Sequence, residues 1–438
     1  MKHDHHIGDA FRKEFADWRL WSARFLVFAA AAAAGLTVVG FTWLSERSLE
    51  FFFDLRSEVW WLPVLWTPLC TAAIVWLGGK YAPGAAGSGI PQVMAALDPS
   101  VDAARQGLFV SLKLTIVKIG LTAWGLLAGL SLGREGPSVQ IAAGVMLAVR
   151  RWLPKRTGVT DHVLLVAGGA AGIAAAFNTP LAGVMFAIEE LSRTPEKRNS
   201  GLLVASIVFS GLIAVSFTGN ATYFGVIHTT EIGLSLMMPG LLVSVCSGLA
   251  GGLFSRLLIV SLSGQSTDFA TRLRSKHPVL FAAACGLMVA GIGLLTYGAT
   301  FGSGYIHTRH MLEGTESTPA VYVLFKFIAT WLTTWSGVPA GIFAPSLAIG
   351  AALGNDIAML VHFPQAPALI ALGMAGFLAA VTQAPLTSFI IVMEMVDGHA
   401  MVLSLMGCAL VASTLSRVLS RPLYHSLAQI QLKRLPAH

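Results

Sequence analysis

Apolar residues come in runs far longer than one strand or core helix needs. Stretches at 25–44, 60–77, 108–132, 202–217, 238–262, 278–297, 320–335 and 401–415 carry almost no charge. About 20 mostly apolar residues cross the hydrocarbon of a bilayer as a helix, so these runs predict membrane-crossing helices. A second set, at 137–149, 164–177, 180–188, 342–353, 366–381 and 385–393, is shorter and interrupted by glycine or proline. Those predict helices that stop inside the membrane, where only protein or a wet cavity can cover the freed backbone groups.

Composition supports this reading. Charged residues make up 12% of the 438 and hydrophobic residues 55%, with a mean hydropathy of +0.70. A soluble domain carries roughly 25% charged residues. This chain lacks the charges to cover a water-facing surface, so lipid must solvate much of it.

The net charge of +7 is mostly topological. Basic residues gather between apolar runs, at Arg150, Arg151, Lys155 and Arg156, at Arg193, Lys197 and Arg198, at Arg272, Arg274 and Lys276, and near the end at Arg417, Arg421, Lys433 and Arg434. The positive-inside rule places these segments and both termini in the cytoplasm. The 220–231 loop has no Lys or Arg and is expected outside. The polar first twenty residues do not read as a cleaved signal peptide. No basic face with interleaved aromatics lies outside the apolar runs, which argues against nucleic acid. Cys70, Cys246, Cys285 and Cys408 are isolated, and His3, His5 and His6 precede any folded segment, so no metal or other cofactor is expected.

The two halves resemble each other. Gly87-Ser88-Gly89 recurs 215 residues later as Gly302-Ser303-Gly304. Gly133 and Pro137-Ser138 recur 208 residues later as Gly341 and Pro345-Ser346. Gly172, Ala175 and Ala176 match Gly376, Ala379 and Ala380 at an offset of 204, and Pro180-Leu181 with Glu189 match Pro385-Leu386 with Glu394 at 205. Four matches in order predict two structural repeats around a pseudo-two-fold axis, with a site near the midplane where broken helices meet. The boundaries read as an N-terminal segment 1–20, a first repeat 21–218, a linker 219–231, a second repeat 232–431 and a tail 432–438.

The repeated motifs are helix starts. In Gly87-Ser88-Gly89-Ile90-Pro91 the glycines end regular backbone and the proline suits the first turn of a new helix. Gly133-Arg134-Glu135-Gly136-Pro137 and Gly341-Ile342-Phe343-Ala344-Pro345 repeat the design. Three helix N-termini, each with free N–H groups and a positive dipole end, can converge on an anion. Partial charges hold it loosely enough for release, as conduction requires. Ile342 and Phe343 would then serve through their amides. Glu135 lies inside such a break. A carboxylate there can occupy the anion site when ionised and swing away when protonated; capping a helix while paired with Arg134 is the plainer alternative. The Glu189-Glu190 pair, ending the segment at 180–188, reads from the residues alone first as an acidic pair at the membrane edge, with a proton relay as the alternative.

These motifs, in this order and with this repeat, resemble the CLC family of chloride channels and chloride/proton antiporters, over about 25–431. The resemblance implies an all-α integral membrane fold of about eighteen tilted and re-entrant helices in two inverted repeats. It implies a homodimer in the cell inner membrane with one pore per subunit. Ser88 and Tyr424 resemble the two hydroxyls that face a central anion, with the amides of Ile342 and Phe343 completing that site. Arg134, Glu135 and Gly136 resemble the outer site, Glu135 the gating glutamate, and Glu190 the internal proton-transfer carboxylate. Chloride and protons are the implied partners, and exchange of the two is the implied function; no enzyme activity is expected. A passive chloride channel is the first alternative, but such members usually replace the internal carboxylate, so its presence at Glu190 argues for exchange. A fluoride/proton antiporter is the second; those members usually depart from these motifs. An intramembrane hydrolase would need an HExxH or GxGD pattern, and neither occurs. One departure stands out: Met94 occupies a position where many members carry a carboxylate that can pair with the lysine resembling Lys118.

Overall fold

The computed structural model describes residues 18–154, 157–192, 200–219, 222–227, 233–265, 268–315 and 319–434. The histidine tract, Arg12 and Lys13, the basic residues Lys155, Arg156, Arg193, Lys197 and Arg198, and much of the 220–231 linker lie outside these residues.

The described chain folds into nineteen α-helices joined by turns and short 3-10 segments. The first half holds α1 (Trp18–Glu58), α2 (Pro63–Tyr81), α3 (Ile90–Ala96), α4 (Ala103–Gln106), α5 (Leu112–Leu127), α6 (Glu135–Ala148), α7 (Asp161–Phe177), α8 (Pro180–Phe186) and α9 (Ser200–Thr218). The second holds α10 (Met237–Ser263), α11 (Phe269–Lys276), α12 (Pro278–Leu295), α13 (Tyr305–Glu313), α14 (Val321–Ser336), α15 (Phe343–Leu360), α16 (Ala366–Thr382), α17 (Pro385–Met395), α18 (Val402–Leu419) and α19 (Leu423–Lys433). A π-helical turn, Ala187–Ser192, extends α8.

Most apolar runs appear as helices with small changes of boundary. Three differ in substance. The run at 25–44 lies within the 41-residue α1. The run at 108–132 does not form one spanning helix: Ser111 caps the start of α5 by accepting from the Leu114 amide, and the helix ends at Leu127, before Gly129 turns the chain at φ 75°. At 16 residues it is shorter than a full crossing. The run at 342–353 instead continues as the 18-residue α15. Helices α4, α11, α13 and α19 fall in polar sequence that the apolar pattern passed over.

The helix breaks follow the repeat. Helix α7 ends at Asn178 and α16 at Gln383, both in the left-handed region, with φ of 59° and 60°. That conformation commonly closes a helix. Two residues on, Pro180 and Pro385 open α8 and α17 at the helix position where proline is best tolerated. Helix α6 lies along α7, and α15 along α16. Glycines on their contact faces let the backbones approach: a Cβ on Gly172 would stand 2.5 Å from the Ser138 carbonyl oxygen.

Large apolar side chains cover the outside, among them Leu69, Ile116, Leu403 and Val418, each more than two-thirds exposed. Among the described residues, six helices are long and apolar enough to cross a membrane. The interior holds the helix breaks, where backbone ends meet.

Candidate functional site

Gly133 and Gly341 are counterparts in the repeat, and they bond each other reciprocally. The Gly133 amide donates to the Gly341 carbonyl at 2.8 Å, and the Gly341 amide to the Gly133 carbonyl at 3.1 Å. A residue and its own counterpart can do this only beside the axis relating the halves. The starts of α6 and α15 therefore meet on that axis. The first motif joins them: Gly87 N–H donates to the Val338 carbonyl and the Ala340 amide donates to the Gly87 carbonyl, both at 3.2 Å.

The three helix starts are packed to backbone contact. Gly89 takes φ 108°, a conformation open to glycine, and a Cβ there would stand 2.5 Å from the Gly136 carbonyl oxygen. A Cβ on Gly136 would strike the Ser88 hydroxyl, and one on Gly341 would come 2.9 Å from Pro137 Cδ. Ile90 and Pro91 are buried at the start of α3. Neither α6 nor α15 has a side chain capping its first turn, so their leading amides remain available to a ligand.

Glu135 is the first residue of α6 and is wholly buried. Its carboxylate folds back over Gly133, where a Cβ would also meet Pro345 and Ala344. It stands near the backbone amides of Glu135, Ala344 and Arg134. Neither oxygen has a hydrogen-bond partner among the described residues. A carboxylate thus occupies the place where two helix dipoles favour negative charge. The Arg134 side chain turns elsewhere, bonding Glu46 Oε1 at 2.7 Å. Arg134 thus gives its short hydrogen bond to Glu46 while remaining within electrostatic reach of Glu135.

Ser88 and Tyr424 face one another, although 336 positions separate them in the sequence. Helix α19 packs along α3 and delivers the tyrosine. Both hydroxyls are buried without a partner among the described residues. The Phe343 ring lies against Tyr424, centroids 5.9 Å apart and planes 10° from parallel, with Phe177 and Phe186 on its other sides. Phe343 therefore packs by its ring, and its amide at the start of α15 is left uncapped by any side chain.

Glu190 belongs to a different place. It is buried on the π-helical turn and lines a cavity of about 510 Å³ with Met94, Asp98, His162 and His425. Glu135 opens on a cavity of about 260 Å³ lined also by Glu46, Arg134, Tyr223 and His307. The two cavities share no lining residue. Glu189, beside Glu190, is engaged structurally: its carboxylate accepts from the amides of Leu386 at 3.1 Å and Thr387 at 2.7 Å.

Residues 69–417 match the family described as voltage gated chloride channel. The chain belongs to the CLC family. It is 34% identical over 393 residues to the H(+)/Cl(-) exchange transporter ClcA of Citrobacter koseri, covering 85% of this chain and 80% of that one. It is 32% identical over 417 residues to the protein of the same name from Cronobacter sakazakii, covering 90% and 86%. In fold it is similar to a slow cyanobacterial Cl-/H+ antiporter, with a TM-score of 0.80 and 24% identity, covering 94% of this chain and 98% of that one. It is also similar in fold to a CLC-type fluoride/proton antiporter, with a TM-score of 0.76 and 22% identity, covering 93% and 98%.

Within this CLC fold, Lys118 finds backbone rather than acid: its ammonium donates to the carbonyls of Ala85 at 2.8 Å and Gly87 at 2.6 Å. Lys326, which the motifs did not single out, does the same in the second half, to Thr300 at 3.0 Å and Gly302 at 2.7 Å. The signal was present, because Lys326 follows Lys118 by 208 positions, the offset that also relates Gly341 to Gly133. No sequence signal marked Glu46 or Tyr223. They reach Arg134 from the long first helix and from the linker, whose described residues fold inward and bond the carbonyls of Met395 and Val396.

Proposed function

We propose that this chain is an antiporter exchanging chloride, or a similar monovalent anion, for protons through a path in each subunit. The observation that supports the reading is that two buried carboxylates lie in separate cavities, while the Ser88 and Tyr424 hydroxyls are buried without partners among the described residues. Anion passage alone has use for Glu135 as a gate but none for Glu190. Proton passage needs a group that can load on each side.

In this reading the amides of Ile342 and Phe343, with Ser88 and Tyr424, hold the central anion. The amides of Arg134, Glu135 and Gly136 form the outer site, which the Glu135 carboxylate fills when ionised and leaves when protonated. Glu190 passes protons from the opposite cavity. The names of the H(+)/Cl(-) exchange relatives support the choice of ions. We further propose a homodimer in the bacterial inner membrane. Both termini would lie in the cytoplasm, the topology to which the basic segments at Arg150–Arg151 and Arg272–Lys276 point.

The test is purified protein in chloride-loaded liposomes with an imposed chloride gradient. Chloride efflux should drive proton uptake against no proton gradient. Chloride flux without proton movement would make the protein a channel and end the antiport reading.

A further inference from the structure

We infer that Glu46 is a positioning residue of the outer site: it holds Arg134 and cancels the full positive charge beside Glu135, so setting the anion concentration at which the site fills. The inference rests on the anion-exchange reading and concerns its regulation.

Arg134 is the residue before α6, so its backbone is part of the site and its guanidinium lies within electrostatic reach of Glu135. Two elements hold that guanidinium. From α1, Glu46 Oε1 accepts from Nη1 at 2.7 Å and the Thr42 carbonyl accepts at 3.4 Å. From the linker, the Tyr223 hydroxyl accepts from Nη2 at 3.5 Å, and the Tyr223 carbonyl is fixed by the Tyr305 hydroxyl at 3.0 Å. Glu46, Arg134, Tyr223 and Glu135 line the same cavity. Glu50 lines it too but pairs with Arg47 at 2.9 Å. Glu46 is thus the carboxylate that meets Arg134 among the described residues.

The pair is unequal in burial. The Arg134 side chain is 12% exposed and that of Glu46 is 55% exposed. An ion pair with one partner in water adds little to folding stability. Its larger consequence is for the field at the cavity. An uncancelled arginine beside the path would draw anions in and hold them, whereas conduction needs weak binding. Glu46 therefore lets Arg134 lend its backbone to the site without its full charge.

The experiment measures chloride flux in liposomes against chloride concentration on the Glu135 side, for wild type, Glu46→Gln and Glu46→Asp, at low and high ionic strength set by an impermeant salt. Glu46→Gln should lower the half-saturating chloride by about three- to tenfold. The shift should shrink as salt screens the exposed partner, while the proton-to-chloride ratio stays as in wild type. Glu46→Asp should restore the wild-type half-saturation. If Glu46→Gln does not fold, Arg134→Gln serves instead and should move half-saturation upward. Unchanged half-saturation in Glu46→Gln, or an equal, salt-insensitive shift in Gln and Asp variants, overturns the inference. Wild-type protein that moves chloride without protons defeats the antiport reading alone and leaves this comparison intact.

Discussion

Glu189 and Glu394 cap each other's partner helix. Glu189, after α8, accepts from the first amides of α17, Leu386 at 3.1 Å and Thr387 at 2.7 Å. Glu394, near the end of α17, accepts from the first amides of α8, Leu181 at 3.1 Å and Ala182 at 2.7 Å. The matched distances are the repeat expressed as bonding: each half supplies the acceptor that the other half's proline-started helix lacks. A carboxylate at a helix N-terminus satisfies orphan donors and meets the positive end of the dipole.

Glu189 should accordingly matter for stability. Glu189→Ala removes both bonds to the start of α17 and is expected to cost about 1–3 kcal/mol. Thermal unfolding in detergent measures it. Glu190→Gln, one residue away, should unfold near the wild-type temperature. Equal stability of wild type and Glu189→Ala would show the cap to be dispensable.

Glu135→Gln should stop proton movement and leave or raise chloride flux. The amide carries no charge to compete for the helix starts and no titratable proton. Paired chloride and proton recordings in liposomes test this; uphill proton movement by the variant would remove Glu135 from the gating role.

Glu190→Gln should stop proton movement while chloride flux and central binding persist, because Glu190 lies in the other cavity and in none of the three helix-start motifs. Loss of both fluxes would point to a structural role. Glu189 is no substitute relay, since its oxygens are committed to Leu386 and Thr387.

Tyr424→Phe separates the hydroxyl from the ring. The stack on Phe343 remains, and one hydrogen bond to the anion is lost, worth about 1.5–3 kcal/mol. Calorimetric chloride affinity should fall accordingly. Tyr424→Ala should fall further by also freeing Phe343. Unchanged affinity in Tyr424→Phe would exclude the hydroxyl as a ligand.

Lys118 and Lys326 hold equivalent loops at different places. Lys118→Met frees the carbonyls of Ala85 and Gly87, next to Ser88, and should weaken chloride binding. Lys326→Met frees Thr300 and Gly302, whose neighbours Phe301 and Ser303 line the cavity on the Glu135 side, and should lower stability with central affinity retained. Equal effects on affinity would place both loops at the central site.

Much was legible in the chain alone. Apolar length marks most membrane helices, because lipid tolerates little else across its core. Glycine and proline mark where helices stop and restart, because they act through local backbone geometry: Asn178-Thr179-Pro180 and Gln383-Ala384-Pro385 each end one helix and begin the next. The repeat, the three helix starts and Glu135 follow from such local rules. Tertiary structure decided the rest. Short polar helices such as α13 and α19 carry no apolar signal, and only packing against α3 brings Tyr424 to Ser88. The roles of Glu189 and Glu190 diverge because one carboxylate faces the orphan amides of α17 and the other a cavity, which adjacent positions in a sequence cannot reveal. Arg134 found Glu46, 88 positions away, because a buried guanidinium takes the acceptor that the fold places beside it; charge alone names no partner.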